Sequence, residues 1–130
     1  MITKLLLIDD DEELCVELRQ VLEAEGFEVD IVFDGSQGLK RLQEKPYHII
    51  ILDLKLPGLN GYGVLKGIRK TTENIKVMVL SGRPLGEPLL KEDGVSQDEE
   101  EKVLNMADVV MNKPFMVKNF LQKVKALMGE

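Results

Sequence analysis

The amino-acid sequence predicts an α/β fold in which a doubly wound, five-stranded parallel sheet carries helices on both faces. Short apolar runs alternate with segments whose apolar residues repeat at helical spacing. The strand segments are apolar throughout, which is typical of parallel strands buried on both faces. A chain of 130 residues without repeats or linker-like composition suits one core, so we predict a single domain over residues 1–130.

Two strand–helix units are predicted in the first part of the chain. "KLLLI" at 4–8 predicts the first strand, and the helix after it repeats leucine and valine at helical spacing until Gly26 ends it. "EVDIVF" at 28–33 predicts the second strand. "DGSQGLKRLQEK" at 34–45 begins with capping residues and predicts a short helix.

The middle of the chain repeats this alternation. "YHIIILDL" at 47–54 is the strongest strand segment, and "LPGLNG" at 56–61 predicts a loop because of its proline, glycines and asparagine. A helix follows, and Gly63 and Gly67 weaken its intrinsic propensity. "KVMVLS" at 76–81 predicts the fourth strand.

The last part of the chain is predicted to begin with a lengthened loop at 82–95. "SQDE" at 96–99 is a capping box and predicts a helix from about Gln97 to Met106. "DVVMN" at 108–112 predicts the fifth strand. The final helix carries one apolar stripe, formed by Val117, Phe120, Leu121, Val124, Leu127 and Met128.

Composition argues against several classes of function. The net charge of −6 disfavours direct binding to nucleic acid or to an anionic membrane surface. No apolar run in the sequence approaches the ~20 residues of a membrane span. Acidic residues follow the first apolar run at once, where a signal peptide would have its cleavage site. The single Cys15 excludes an internal disulfide. We therefore expect a cytoplasmic protein with no membrane partner.

Polar residues stand where the predicted strands end, and the carboxyl ends of parallel strands share one edge of a sheet. Ligands of doubly wound sheets bind beyond that edge. We therefore expect three carboxylates, one hydroxyl and one ammonium to converge there. The residues concerned are Asp9, Asp10, Asp53, Ser81 and Lys113.

Three neighbouring carboxylates repel one another unless one takes up a proton or a cation lies among them. Oxygen ligands with this charge suit Mg²⁺, which also attracts phosphoryl oxygens. A carboxylate beside Mg²⁺, an ammonium and a hydroxyl can transfer a phosphoryl group, with the carboxylate as nucleophile. Each residue alone also has an ordinary reading, since paired aspartates often cap helices and Ser81 and Lys113 precede turn-forming residues. Asp53 is harder to explain in this way. An apolar run leads into it, and burying a charge there is costly unless another group compensates for it.

Four motifs, in this order, resemble the receiver domain of two-component response regulators over nearly the whole chain. "LLLIDDDEEL" resembles the acidic-pair motif and "IIILDLKLPGLNGYGVL" the phosphoacceptor segment. "VMVLSGR" resembles the hydroxyl motif and "ADVVMNKPF" the lysine–proline motif. The resemblance implies a flavodoxin-like sheet with strand order 2-1-3-4-5.

The resemblance also implies a metal site. Asp10 and Asp53 would ligate Mg²⁺ directly, and Asp9 would contribute through water. The backbone carbonyl of Lys55 would supply a further ligand, which leaves its side chain free to vary. In this family the metal supports transfer of a phosphoryl group, so the implied cofactor is Mg²⁺ alone.

By the same resemblance, Asp53 would accept a phosphoryl group from the phosphohistidine of a sensor histidine kinase or a phosphotransfer protein. Lys113 and Ser81 would each contact a phosphoryl oxygen and so switch the surface around strands four and five. The protein would not be an enzyme beyond catalysing its own phosphorylation and dephosphorylation. It would act on a downstream output protein or through an output domain missing from this chain.

The sequence departs from the family pattern at three places. Val110 stands where an aromatic residue usually precedes the lysine, so an aromatic rotation is not the switch of this protein. The interval from Ser81 to Lys113 is longer than usual, and the excess falls in the loop at 82–95. Asn60 replaces a common aspartate after the phosphoacceptor segment.

Two other functions remain open from the sequence. A receiver-like interaction module without phosphorylation is suggested by Val110 and the long loop. A haloacid-dehalogenase-type phosphatase would need a threonine where Glu13 stands, and the chain lacks room for its cap domain. The single histidine, His48, precedes a buried strand, so we interpret it as structural.

Overall fold

The computed structural model describes residues 2–55, 61–71, 74–82, 102 and 104–129. Apart from Gly82, the predicted loop at 82–95 lies outside the described residues, as does most of the predicted helix from Gln97 to Met106. The strands and helices of the described residues are β1 (Lys4–Ile8), α1 (Glu12–Ala24), β2 (Glu28–Val32), α2 (Gly35–Glu44), β3 (Ile49–Asp53), α3 (Gly61–Thr71), β4 (Lys76–Ser81), β5 (Val109–Asn112) and α4 (Val117–Leu127).

The five strands form one parallel sheet in the order β2-β1-β3-β4-β5, which confirms the predicted topology. Successive residues of a strand point to opposite faces, so the side chains of the sheet contribute to two apolar clusters, one on each face. Leu6, Ile50 and Val77 contribute to the cluster that also holds α3. Leu7 and Ile51 contribute to the cluster that holds α1 and α4. The helices therefore cover both faces, as predicted.

The strands end one residue earlier than the apolar pattern predicts at two places. β2 stops at Val32, and the next residue, Phe33, is exposed. β3 stops at Asp53, before Leu54. The earlier end of β3 makes Asp53 the last residue of its strand, where the site residues are expected.

Side-chain caps fix where two helices begin. The Asp11 carboxylate accepts the backbone N–H of Leu14 at 3.1 Å and caps α1. The Asp34 carboxylate accepts the N–H of Gln37 at 2.8 Å and caps α2. Each cap satisfies a backbone donor that a helix leaves unpaired in its first turn. The acid-rich turn after β1 therefore contains a structural carboxylate as well as those of the site.

Two glycines of α3 permit close contacts. A Cβ at Gly67 would lie 2.9 Å from Cδ2 of Leu39, so the glycine lets α3 pack against α2. A Cβ at Gly61 would lie 2.3 Å from the Leu54 Cα, closer than nonbonded carbons approach. Gly61 also donates its N–H to the Leu54 carbonyl at 2.9 Å. The start of α3 is thus held against the residue that follows Asp53.

Across the described part of the chain, none of the helices combines the length and the apolar character that crossing a bilayer requires.

Candidate functional site

Three carboxylates meet at the carboxyl edge of the sheet. Asp9 and Asp10 directly follow β1, and Asp53 ends β3, which lies beside β1. Each can offer a carboxylate oxygen within 4.8 Å of those of the other two. Asp9 is fully buried, Asp53 is 5% exposed and Asp10 is exposed. The structure therefore brings together the acidic residues that the sequence placed at strand ends.

Backbone donors orient two of these carboxylates. The N–H of Asp11 donates to Asp9 Oδ1 at 3.0 Å, and the N–H of Lys55 donates to Asp53 Oδ1 at 3.2 Å. In both cases the donor lies two residues further along, as in the turns that aspartate commonly forms. Each hydrogen bond occupies Oδ1 of its carboxylate, and Oδ2 is the oxygen that lies near Lys113 in both residues.

Lys113 provides the cation of the site, directly after β5. Its Nζ lies 2.9 Å from Asp9 Oδ2 and 3.6 Å from Asp53 Oδ2. The backbone N–H of Lys113 donates to the Ser81 carbonyl at 2.7 Å, which fixes the end of β5 against the end of β4. The ammonium is thus held over two of the three carboxylates, with the shorter contact to Asp9.

Burial, and after it the charge of the Asp9 carboxylate, raises the pKa of Asp53 from 3.8 to about 6, against the opposing charge of Lys113. Burial works against the charged form of Lys113 as well. The hydrogen bond to Asp9 and the charge of Asp53 outweigh that effect and raise the pKa of Lys113 above its ordinary value. The lysine therefore stays cationic at neutral pH, while Asp53 is a comparatively basic carboxylate.

The remaining predicted residues lie around this centre. Ser81 ends β4 and is buried, and Gly82 after it is exposed with open space where a side chain would be. Lys55 is exposed two residues after Asp53. Asn60 lies outside the described residues. Val110 is half-buried and packs against the same apolar cluster as α3.

The donor set fits a hard divalent cation. Among the described residues, three carboxylates form its acidic part, and one ammonium cannot offset all three charges. Asp10 is exposed, so a cation with several bound waters would have room on that side. An anionic group drawn to such a cation would meet Asp53 and Lys113 together.

Three residues outside the predicted set have roles that sequence reasoning missed. The thiol of Cys15 donates to the Asp9 carbonyl at 3.4 Å, and burial raises the pKa of this thiol to about 12. Asp108, just before β5, accepts the backbone N–H of Val77 at 2.8 Å and pairs with Arg69 at 3.0 Å. The capping-like position of Asp108 was a weak signal, whereas nothing in the sequence distinguished Arg69 from a surface arginine.

Comparisons with known proteins agree on one family. The family model of the response regulator receiver domain matches residues 5–125. A CpxR homolog of Haemophilus influenzae, a transcriptional regulatory protein, is 37% identical over 97% of this chain and 50% of its own length. The phosphate regulon transcriptional regulatory protein PhoB of Rhizobium meliloti is 34% identical over 98% of this chain and 53% of its own length. The chain thus spans about half the length of the curated relatives it matches.

Solved structures agree with these sequence matches. A CheY-like response regulator receiver domain protein from Methanospirillum hungatei JF-1 superimposes with a TM-score of 0.83. It is 26% identical, and the match covers 97% of this chain and 93% of the other. A receiver domain of a Francisella response regulator gives a TM-score of 0.79 at 26% identity, covering 96% of this chain and 95% of the other.

Proposed function

The chain belongs to the response regulator receiver domain family, whose members are phosphoacceptors of two-component systems, and from that premise we propose that Asp53 is its phosphoacceptor. One observation carries the assignment. Asp53 is the carboxylate that ends a fully buried strand with Asp9, Asp10 and Lys113 grouped around it. Its raised pKa of about 6 leaves it mainly ionised at neutral pH, and thus available as a nucleophile.

The proposed reaction moves a phosphoryl group from a phosphohistidine of a sensor kinase or phosphotransfer protein to Asp53. An Asp53 carboxylate oxygen forms a bond to phosphorus while the P–N bond of the donor breaks. The electron pair of that bond leaves with the imidazole nitrogen, and the product is an acyl phosphate. Lys113 offsets charge on the transferring group from its place near Asp53 Oδ2, and the Ser81 hydroxyl donates to a second phosphoryl oxygen.

For the metal, we propose direct ligation by Asp10 and Asp53, with a further ligand from the Lys55 carbonyl. Asp9 would act through water, because one of its oxygens is occupied by the Asp11 N–H and the other by Lys113. The cation that suits these oxygen ligands is Mg²⁺. When bound, it supplies positive charge beside the phosphoryl oxygens.

We propose that residues 1–130 act as a single receiver unit whose only chemistry is its own phosphorylation and dephosphorylation. The named relatives are transcriptional regulatory proteins about twice as long as this chain. The output of this chain is therefore proposed to pass to a downstream protein or to an output domain. A 2.7 Å hydrogen bond joins the backbones of Ser81 and Lys113, and we propose that these residues transmit phosphorylation of Asp53 to the surface of β4 and β5.

The test is intact mass after incubation with Mg²⁺ and a small phosphodonor such as acetyl phosphate. Wild type should gain one phosphoryl group, and Asp53→Asn should gain none. Asp30→Asn is the matched control, because Asp30 is a carboxylate on β2 paired with Lys45, away from the site; it should be phosphorylated like wild type. If neither wild type nor Asp53→Asn gains a phosphoryl group, an interaction module without phosphorylation is supported instead, and equal gains by both would exclude Asp53 as the phosphoacceptor. Continued turnover of a phosphate ester by Asp53→Asn would support a phosphatase.

A further inference from the structure

We propose that Arg69 and Asp108 are positioning residues for Lys113: they anchor the start of β5 and thereby set where its far end delivers the ammonium. This inference rests on the proposed function, since it concerns how the cation reaches Asp53. β5 is four residues long, lies at the sheet edge among the described strands, and its residues are half-buried or exposed. Apolar packing alone therefore holds β5 less firmly than the central strands.

Asp108 holds the start of β5 against Val77 of β4 through both its backbone and its side chain. Its N–H donates to the Val77 carbonyl at 2.9 Å, and its carboxylate accepts the Val77 N–H at 2.8 Å. The same carboxylate oxygen pairs with Arg69 Nη2 at 3.0 Å. One side chain thus joins β4, β5 and α3 at a single point.

Arg69 completes the anchor from α3. Its Nη1 donates to the Ile75 carbonyl at 2.7 Å, and its Nε donates to the Met106 carbonyl at 2.8 Å. The guanidinium therefore links Ile75, which directly precedes β4, to Met106 and Asp108, which precede β5. Its side chain is 18% exposed, so water competes for these bonds less than at an open surface. A planar fork with several donors suits this task in a way that an ammonium does not.

The far end of the same strand carries the function. β5 pairs with β4 in the register Met78 to Val109 through Ser81 to Asn112, and Lys113 follows immediately. A slip of one residue would turn its side chains to the opposite faces, and a slip of two would displace Lys113 by about 7 Å. The 2.9 Å contact of Lys113 with Asp9 would not survive either slip. By fixing the register of β5, the contacts of Asp108 thus determine where the ammonium of Lys113 lies.

The test compares Arg69→Met with Lys45→Met. Lys45 is the matched control, because it also makes a 3.0 Å pair with an aspartate of an edge strand, Asp30 on β2. Both proteins are assayed for the initial rate of phosphorylation by acetyl phosphate and for the Kd of Mg²⁺. We expect Arg69→Met to slow phosphorylation about tenfold and Lys45→Met to leave it near the wild-type rate. Mg²⁺ binding should not weaken in either variant, because its proposed ligands lie at the carboxyl ends of β1 and β3.

A second measurement is independent of phosphorylation. Hydrogen exchange at the Lys113 amide, which donates to Ser81, should be faster in Arg69→Met than in wild type and unchanged in Lys45→Met. Arg69→Lys should restore part of the rate, since it keeps the charge without the three-way geometry. If Arg69→Met folds poorly, Asp108→Asn is the milder variant, because an amide oxygen can still accept from Val77.

The outcomes separate the two proposals. Unchanged exchange at Lys113 in Arg69→Met overturns the positioning role, as does equal slowing of phosphorylation in Arg69→Met and Lys45→Met. Loss of Mg²⁺ affinity in parallel with the rate would also overturn it, because that result indicates general disruption. If wild type itself takes up no phosphoryl group, the proposed function fails, and the exchange experiment still decides whether Arg69 places Lys113.

Discussion

Lys113 Nζ lies 2.9 Å from Asp9 Oδ2, and this contact is shorter than its 3.6 Å approach to Asp53 Oδ2. The lysine is therefore chiefly the counter-ion of a carboxylate that is fully buried. Asp53 keeps an uncompensated share of negative charge, which agrees with its raised pKa.

Without metal, Asp53→Asn should stabilise the protein at pH 7 by about 3 kcal/mol. The pKa of Asp53 rises from 3.8 to about 6 on folding, so the folded state binds this proton more tightly than the unfolded state. That contribution to stability is complete below pH 3.8 and is lost as the pH rises through 6. Urea denaturation at pH 7 and pH 4 measures it. A variant less stable than wild type at pH 7 contradicts this account.

Mg²⁺ should raise the melting temperature of wild type, because a ligand that binds the folded state stabilises it. At about 100 times its Kd the gain is about 2.7 kcal/mol. Asp10→Asn should be more stable than wild type without metal and should lose the response to Mg²⁺. Asp11→Asn is the control, since Asp11 caps α1 and an asparagine can keep that bond. An Asp10→Asn protein that melts below metal-free wild type would refute the explanation.

Lys113→Met should destabilise the protein by about 3 kcal/mol, because it leaves the buried Asp9 carboxylate without its ammonium partner. Lys125→Met removes an ion pair of similar length, Lys125 to Glu25 at 3.1 Å, but at an exposed position. That loss should be below about 1 kcal/mol. Chemical denaturation of both variants measures the difference. Equal losses would mean that burial of Asp9 does not govern the strength of its pair.

Gly61→Ala should destabilise the protein by about 2 kcal/mol and weaken Mg²⁺ binding. The new methyl group would meet the Leu54 backbone at 2.3 Å, and Leu54 separates Asp53 from Lys55. Gly67→Ala is the comparison, because its methyl group would meet the Leu39 side chain, which can rotate away. Thermal melts and Mg²⁺ titration of both variants test this. A larger effect at Gly67 than at Gly61 would contradict the prediction.

The fold was largely predictable from the sequence, because unbroken apolar runs leave few alternatives to a covered parallel sheet. The strand order came from the resemblance to receiver domains and is confirmed by the structure. The partner of Lys113 was not predictable, since 2.9 Å and 3.6 Å differ through packing that no motif encodes. From the sequence, Gly67 is only a residue that weakens a helix, since its contact with Leu39 depends on how α3 packs against α2.

The hydrogen bond from Cys15 to the Asp9 carbonyl has a practical consequence. The chain has one cysteine, it is buried beneath the turn that carries Asp9 and Asp10, and its pKa of about 12 keeps it as an unreactive thiol in the folded state. A maleimide or disulfide reagent will therefore label it only when the junction between β1 and α1 opens. The rate of labelling therefore measures how often the turn that carries Asp9 and Asp10 opens, and no engineered probe is required.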